Sequence, residues 1–376
     1  MKILYVTTIS NTVNAFLIPH IRMLIAQGHQ VDVAFNIVQE VSHELINMGC
    51  KIHQIEFQRS PLKRENLLAY KKVKNLVIRE GYDLVHTHTP VASFLIRMAC
   101  RNIPNLKMIY TAHGFHFFKG APLQNWLLYY PIEWISAKWT DVLITINQED
   151  YLSAKKFMNG DIYNVHGVGV DLNKFQPQSQ ELKQQLRKEY GYKSDDFIII
   201  FAGDLRYEKH QDLLIDTISL LRHKIPNIKL LLAGSGQLLE QYRKQVIKLE
   251  IEENVEFLGY RTDINKLLLL SDIAVSSSKR EGLPVNVMEA MATGLPLIVT
   301  NCRGNRDLVE NGVNGFIREI NDISGFAESI DILYHSELLR NSFALESLER
   351  IRQYSLKNVL KEMEYCYVCH NKINIE

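Results

Sequence analysis

The sequence predicts an α/β protein with two Rossmann-like domains, each built on a parallel sheet, that face a cleft. Short apolar runs alternate with amphipathic stretches through the first half of the chain. A polar break follows at residues 171–177, and the alternation then restarts. Such alternation is typical of strand–helix–strand units whose strands run parallel. Two successive α/β halves joined by one linker therefore give the predicted architecture.

Each half contributes its own set of elements. In the first half we predict strands at residues 2–7, 30–36, 51–56, 84–86, 107–111, 142–146 and 162–165, and helices at 16–27, 41–48, 64–80 and 91–101. After a polar helix at 179–190, we predict strands at 197–202, 229–233, 255–258, 273–275, 297–299 and 315–317, and helices at 211–223, 239–249, 264–270, 285–293, 306–310 and 324–335. The predicted domains are residues 1–175 and 176–355, followed by a C-terminal helix in 356–376.

Composition and charge narrow the class of protein. The chain has 376 residues, of which 46% are hydrophobic and 23% charged, which is ordinary for a globular protein of two or three domains. Residues 1–176 hold 18 Lys and Arg against 13 Asp and Glu, a net charge of +5, and the remainder is −4. A basic first half suits anionic lipid or an anionic acceptor, although a solvated helix face explains residues 70–79 equally well. No signal-peptide cleavage site follows the first strand, so we expect a cytoplasmic protein.

The most informative stretch runs from Glu281 to Glu289, with Gly282, Leu283, Pro284 and Val285 between them. Gly282 permits a close backbone approach, and Pro284 suits the first position of a helix. A helix N-terminus offers unpaired N–H groups and the positive end of a dipole, which favour phosphate. Two carboxylates around such a site suggest a ligand with both hydroxyls and phosphate. An acidic residue ahead of an ordinary capped helix is the alternative.

Two glycine-containing turns follow predicted strands of the second half. Gly203 begins a turn that includes Arg206 and Lys209, which could grip a diphosphate. Gly234 and Gly236 form a partial glycine pattern that lacks the third glycine of dinucleotide-binding proteins. That second pattern indicates a tight strand–helix turn more than a dinucleotide site.

Histidines and aromatic residues cluster in the first half. His86, His88, His113 and His116 lie near two strand ends, but no carboxylate stands beside them to complete a metal site. His113, followed by Gly114, is the best functional candidate, and a structural role is favoured for the other three. Residues 115–139 hold all three tryptophans, flanked by Lys119 and Lys138. This segment fits either a membrane interface or a buried core, and it argues against nucleic-acid binding.

These motifs together resemble family 4 of the retaining glycosyltransferases, whose fold is called GT-B. The specific signatures are the Glu281–Glu289 spacing followed by residues 290–296, and the segments 299–307 and 311–316. Residues 57–61, 86–90, 110–117 and 146–151 resemble a bacterial branch that builds capsular or extracellular polysaccharide on undecaprenyl-diphosphate carriers. The resemblance covers essentially the whole chain, and it implies that the C-terminal helix crosses back onto the first domain.

The resemblance also implies site roles and partners. Lys209 would hold the diphosphate of a UDP-sugar donor, Glu281 the hydroxyls of the donor sugar, and Glu289 the ribose. Backbone N–H groups near Leu283–Val285 would complete this site. Tyr260 and Arg261 would lie against the base, and His113 would approach the sugar. The family needs no cofactor or metal. A lipid-linked saccharide would be the acceptor, so the protein would be peripheral at the inner membrane surface; no oligomeric state is predicted.

Three departures from the family pattern leave alternatives open. Asp204 stands where the family usually has Arg, so Arg206 is the candidate to supply that charge. Residues 10–12 replace a glycine-rich loop, and Asp307 replaces a common Glu. A UDP-sugar epimerase or hydrolase on the same fold is a second hypothesis. A partner protein that binds nucleotide or lipid without catalysis is a third, motivated by Asp204.

Overall fold

The computed structural model describes residues 1–58 and 63–369, and these form two compact units. Residues 1–168 and 357–369 belong to the first unit, and residues 169–356 to the second. Residues 169–175, which the sequence analysis assigned to the first half, thus group with the second. The end of the sequence motif at 57–61 lies outside the described residues.

The first unit is built on a seven-stranded sheet in which neighbouring strands pair in parallel. Its strands are β1 (Lys2–Ile9), β2 (Gln30–Asn36), β3 (Ile52–Gln54), β4 (Leu84–His88), β5 (Lys107–Ala112), β6 (Val142–Thr145) and β7 (Asp161–Asn164). The strand order is β3-β2-β1-β4-β5-β6-β7. The chain therefore starts in the middle of the sheet, builds one edge, and then crosses over to build the other.

The helices of the first unit connect these strands. They are α1 (Ser10–Thr12), a π-helical segment (Val13–Leu17), α2 (Ile18–Ala26), α3 (His43–Asn47), α4 (Glu65–Glu80), α5 (Pro90–Cys100), α6 (Leu123–Ala137) and α7 (Gln148–Ala154). From β3 to β6 the chain advances across the sheet in one direction. Because such connections are right-handed, α4, α5 and α6 lie on the same face of the sheet. The contacts of α5 with both α4 and α6 agree with this arrangement.

The second unit has a six-stranded parallel sheet in the order β10-β9-β8-β11-β12-β13. Its strands are β8 (Phe197–Ala202), β9 (Ile228–Ala233), β10 (Val255–Gly259), β11 (Ile273–Ser276), β12 (Leu297–Thr300) and β13 (Gly315–Arg318). In β8 the run Phe197–Phe201 is buried throughout. A continuous apolar strand of this kind is covered by helices on both faces.

Among the residues that the structure describes, the second unit has eight α-helices and one 3-10 turn. They are α8 (Gln180–Tyr190), α9 (Gln211–Leu221), α10 (Leu239–Lys248), α11 (Ile264–Leu270), α12 (Val285–Ala292), α13 (Asn305–Leu308), α14 (Ile323–His335) and α15 (Glu337–Arg350), followed by a 3-10 turn (Ile351–Tyr354). Gly191 ends α8 in a left-handed conformation, as expected for a glycine after a helix. Helices α6, α7 and α15, and the short α1, were not predicted from the sequence.

The last helix, α16 (Leu356–Cys369), carries the chain from the second unit back to the first. Its Tyr367 hydroxyl is buried and forms hydrogen bonds with the Tyr5 hydroxyl and with Nδ1 of His86. Glu362 accepts hydrogen bonds from the backbone N–H of His166, at 2.9 Å, and pairs with the His166 ring at 2.6 Å. The helix therefore completes the polar interior of the first unit, as the family resemblance implied.

Candidate active site

The candidate site of the second unit is centred on an ion pair at the carboxyl ends of its strands. Lys209 Nζ lies 2.6 Å from Glu281 Oε1, and both side chains are partly buried. The Ser277 hydroxyl, just after β11, donates a hydrogen bond of 2.8 Å to the Lys209 carbonyl. The sequence thus folds two predicted site residues from different loops into direct contact. In parallel α/β sheets this edge is where ligands bind.

The glycine turns after β8 and β9 pack backbone to backbone. A Cβ atom on Gly234 would lie 2.0 Å from the Gly203 carbonyl oxygen, and one on Gly236 would lie 2.2 Å from the Leu205 carbonyl oxygen. The Leu205 N–H donates to the Ser235 carbonyl at 3.0 Å. The close approach of these two segments of the chain therefore explains why glycine stands at positions 234 and 236. This agrees with the prediction of a tight turn rather than a dinucleotide site.

Arg206 and Asp204 compensate each other's charge within the first of these turns. Their side chains form an ion pair, and about half of each is exposed. Arg206 was predicted to supply the positive charge that is lost because Asp204 stands in place of an arginine. In the structure, its side chain points at Asp204 itself. Its role toward a diphosphate stays a prediction, and a ligand would have to draw it away from Asp204.

Helix α12 begins four residues after Glu281, beside the Lys209–Glu281 ion pair, and its N-terminal end has no side-chain cap. Pro284 is the N-cap, with φ −76° and ψ 115°, and no side chain caps the helix. The prediction that Pro284 occupies the first helical position was wrong by one residue, because its extended ψ places the first turn at Val285. Asn286 Nδ2 donates a hydrogen bond of 2.8 Å to the Ala202 carbonyl, which ties the helix start to the end of β8. The open N–H groups of this end suit an anionic ligand.

Two residues to which the sequence analysis gave no role hold the Glu281 loop in place. Arg303 is 4% exposed, and its Nε donates a hydrogen bond of 3.0 Å to the Glu281 carbonyl. Gly304 has φ +80°, and a Cβ there would lie 2.5 Å from the Gly282 carbonyl oxygen. Both lie in the 299–307 segment that signalled the family, but only their packing reveals what they do.

We expect Gly304→Ala to weaken both the fold and ligand binding at this site. The new methyl group would collide with the Gly282 carbonyl and push the Glu281 loop away from Lys209. The matched control is Gly312→Ala, because Gly312 has φ +81° but nothing within 4 Å of its Cβ position. Both variants also place alanine at a positive φ, a backbone strain on the order of 1–3 kcal/mol. Thermal unfolding should therefore show a larger loss of stability in Gly304→Ala, and equal losses would contradict the proposed contact.

Glu289 lies on the second turn of α12, and its carboxyl group forms no hydrogen bond or ion pair with any described residue. Burial raises the pKa of its carboxyl group from 4.5 to about 7, and the more distant charge of Lys174 acts in the opposite direction. An unpartnered carboxylate in a partly buried position is costly unless a ligand supplies hydrogen-bond donors. The Glu289 carboxylate is therefore suited to accept hydrogen bonds from the hydroxyl groups of a ligand.

The two predicted base contacts differ in their surroundings. Tyr260 is 80% exposed, directly after β10. Arg261 forms two hydrogen bonds with Asp263, at 2.8 Å and 2.5 Å, and the Tyr190 hydroxyl donates to the same carboxylate at 2.6 Å. Tyr260 is thus accessible for stacking, whereas the Arg261 side chain is held by its neighbour.

In the first unit, His113 follows β5 and shares a hydrogen bond with His88. Nε2 of His113 lies 3.0 Å from Nδ1 of His88, and burial lowers the pKa of His113 from 6.5 to about 4. The imidazole of His113 is therefore neutral at pH 7. His86 and His88 are buried, and His116 stacks on Tyr129 with ring centroids 4.4 Å apart. The role of His113 toward a sugar stays a prediction.

The fold and its class are matched by solved structures. HepE of Anabaena, solved in complex with UDP and glucose, superposes with a TM-score of 0.80 over 98% of this chain and 100% of that chain, at 20% identity. WaaG, a glycosyltransferase involved in lipopolysaccharide biosynthesis, gives a TM-score of 0.76 over the full length of both chains at 14% identity. Two parallel-sheet units of this kind define the GT-B class, as the sequence predicted.

Sequence comparison then gives the family. The model "Glycosyl transferase 4-like" matches residues 2–147, and "Glycosyl transferases group 1" matches residues 183–355. A Bacillus subtilis protein named "Putative glycosyltransferase EpsD" is 39% identical over 371 residues, which cover 97% of this chain and 96% of that protein. The Escherichia coli UDP-Gal:alpha-D-GlcNAc-diphosphoundecaprenol alpha-1,3-galactosyltransferase is 31% identical over 72% of each chain. This chain belongs to family 4 of the glycosyltransferases.

Proposed function

We propose that this chain is a retaining glycosyltransferase that moves a sugar from a UDP-sugar to a lipid-linked saccharide in the synthesis of cell-surface polysaccharide. The observation that carries the proposal is the Lys209–Glu281 pair, 2.6 Å apart beside the uncapped start of α12. A cation and open helix N–H groups suit a diphosphate, and a neighbouring carboxylate suits sugar hydroxyls. The E. coli relative, whose name specifies a UDP-sugar donor and a diphosphoundecaprenol acceptor, supports these substrate classes.

In the proposed reaction the bond between the anomeric carbon and the diphosphate oxygen breaks. A new bond forms from that carbon to the acceptor hydroxyl oxygen on the same face, and the hydroxyl proton passes to the departing diphosphate. Lys209 and the N-terminus of α12 stabilise the charge that develops on the diphosphate. Glu281 holds the sugar and Glu289 the ribose. No covalent nucleophile takes part.

We further propose that the reaction needs no divalent metal, because side chains and helix N–H groups supply the positive charge. Among residues 1–58 and 63–369, no group of three or more His, Cys, Asp and Glu side chains could hold an ion. Transfer that persists in excess EDTA would support this proposal. Activity that EDTA removes and Mg²⁺ or Mn²⁺ restores would contradict it.

The central experiment is transfer from a panel of UDP-sugars to a synthetic undecaprenyl-diphosphate saccharide. We expect one donor to give a product whose anomeric configuration, measured by NMR, matches that of the donor. Release of free sugar without acceptor would favour a hydrolase instead. A complete lack of transfer, together with no UDP binding by calorimetry, would favour a non-catalytic partner protein and overturn the proposal.

A further inference from the structure

Helix α6 is apolar on the side that faces solvent. Leu123 and Leu127 are 72% and 70% exposed, and Leu128, Trp134 and Ile135 are each between 42% and 49% exposed. These positions, together with the exposed Pro131, recur at intervals of three and four residues. They therefore form one stripe along a helix of about 22 Å.

The opposite side of α6 is already used to pack the first unit. Ala137 belongs to the core cluster that contains Phe115 and Phe117, and Trp126 and Tyr130 pack against it. Glu133 is buried and forms an ion pair of 2.8 Å with the buried Arg97. The helix thus has a complete interior face, and the exposed stripe is additional to it. A solvent-facing side of this composition points to a binding surface.

Helix α8 of the same chain provides a comparison, because its solvent-exposed side is polar. The exposed positions of α8 are occupied by Gln, Glu and Lys, with Leu182 the one large aliphatic residue among them. The exposed positions of α6 carry Leu, Pro, Trp and Ile, with a polar side chain only at Gln124, and the exposed Lys138 follows the helix. The exposed side of α6 therefore differs from that of α8 in being mainly apolar.

Cations border this stripe. Lys138 Nζ lies 4.8 Å from the ring centroid of Trp134, and the Arg101 guanidinium lies 5.3 Å from that of Trp139. The exposed Lys119 lies ahead of the helix, where its backbone N–H donates to Glu149 at 2.6 Å. Because Glu133 is buried, α6 itself presents no carboxylate to solvent. Tryptophan and lysine beside aliphatic residues suit the boundary between lipid headgroups and acyl chains.

Helix α4, on the other side of α5, carries a similar combination of residues. It lies in the same layer, and its Leu67 and Leu68 are both more than 60% exposed. Lys71 and Lys74 are exposed on the same helix. Two helices on one face of the sheet therefore combine exposed leucines with lysines.

We propose that the exposed stripe of α6 is the surface by which this chain binds an anionic lipid bilayer. No helix in the described residues is long and apolar enough to cross a membrane. The helix would therefore lie in the plane of the interface, with its leucines inserted and Lys138, Lys119 and Arg101 among the headgroups. This inference rests on the proposed lipid-linked acceptor only for its biological setting, because the surface itself is independent of the transfer reaction.

The test uses the full chain and vesicles of phosphatidylglycerol and phosphatidylcholine in a flotation assay. We expect the wild type to bind the anionic vesicles. The affinity of Leu127→Glu for them should be lower by about tenfold or more. Leu345→Glu is the matched control, because Leu345 is 69% exposed on a helix of the second unit. It should bind as the wild type does. Lys138→Ala should lower binding to anionic vesicles and reduce its dependence on salt.

Three results would overturn the inference: no binding of the wild type to anionic vesicles, equal losses in Leu127→Glu and Leu345→Glu, or unchanged lipid binding in Leu127→Glu. If sedimentation velocity shows that Leu127→Glu converts a dimer to a monomer without altering lipid binding, the stripe is a contact between two copies. UDP binding by calorimetry separates this inference from the proposed function. If the wild type binds vesicles but not UDP, the membrane-binding inference is supported and the proposed function is contradicted.

Discussion

Glu281→Ala and Lys209→Ala should each lower the rate of sugar transfer by about a hundredfold or more, with little change in thermal stability. In the proposed reaction, removal of Lys209 would leave the charge on the departing diphosphate without its cation. Removal of Glu281 leaves the donor sugar without its acceptor of hydrogen bonds. Because the two side chains are in contact, their effects should not be additive, and the double variant should lose little more than either single variant.

A matched pair on the surface separates this effect from the loss of any ion pair. Lys266 Nζ lies 3.4 Å from Glu189 Oε1 in the same unit, and both side chains are about half exposed. Lys266→Ala and Glu189→Ala should leave transfer unchanged. The reversed pair, Lys209→Glu with Glu281→Lys, should restore the ion pair without restoring transfer. Full activity in the reversed pair would mean that the contact is only structural.

Glu289→Gln should weaken donor binding at pH 8 and remove its dependence on pH around neutrality. The pKa of Glu289 is raised to about 7 by burial, so the carboxyl group of the free protein loses its proton near that pH. In the proposed binding mode, the ribose hydroxyls donate hydrogen bonds to the ionised carboxylate. Binding by the wild type should therefore weaken by up to about tenfold for each unit of pH below 7.

The same substitution should have the opposite effect on folding. The unfolded carboxyl group titrates near 4.5 and the folded one near 7, so the folded state holds more protons between these values. Stability of the wild type consequently falls as the pH rises from about 4.5 to 7, and it stays lower above 7. Glu289→Gln has no such charge to bury, and it should be the more stable protein at pH 8.

Calorimetry and thermal unfolding at pH 5, 6, 7 and 8 would measure both effects. The ligand should be a UDP-sugar rather than UDP, because a terminal phosphate titrates near pH 6 and would add its own pH dependence. Glu240→Gln is the control, since the Glu240 side chain is 75% exposed. A wild type whose donor affinity is constant from pH 5 to 8 would contradict the assignment of Glu289.

The fold was predictable where one periodicity dominates a segment. The buried run in β8 and the amphipathic pattern of α9 both gave the correct element. Helix α6 was missed because apolar residues occupy both of its sides, which removes the helical periodicity, and because Pro131 lies inside it. Helix α15 was missed although Ser336 caps it, because its apolar residues do not lie on one face: Leu338 and Leu345 are exposed, whereas Phe343 is buried.

The candidate site was predictable to the extent that its residues carry chemistry of their own. Lys209 and Glu281 were singled out by charge and turn context, and the structure brings them together. Arg303 and Gly304 act through the backbone of the Glu281 loop. Nothing in their spacing reveals that contact, because it depends on how β11 and β12 lie side by side. The raised pKa of Glu289 likewise depends on burial, which spacing does not specify.

The return of α16 to the first unit sets an order for biosynthesis. Tyr5 and His86 are made early, yet their partner Tyr367 leaves the ribosome only after the whole second unit. At about 5–20 residues per second, translation of residues 169–356 takes on the order of ten to forty seconds. During that interval the first unit has two buried polar groups without their final partner. We therefore expect the first unit to reach its full stability only when the chain is complete, whereas the second unit can fold as it emerges.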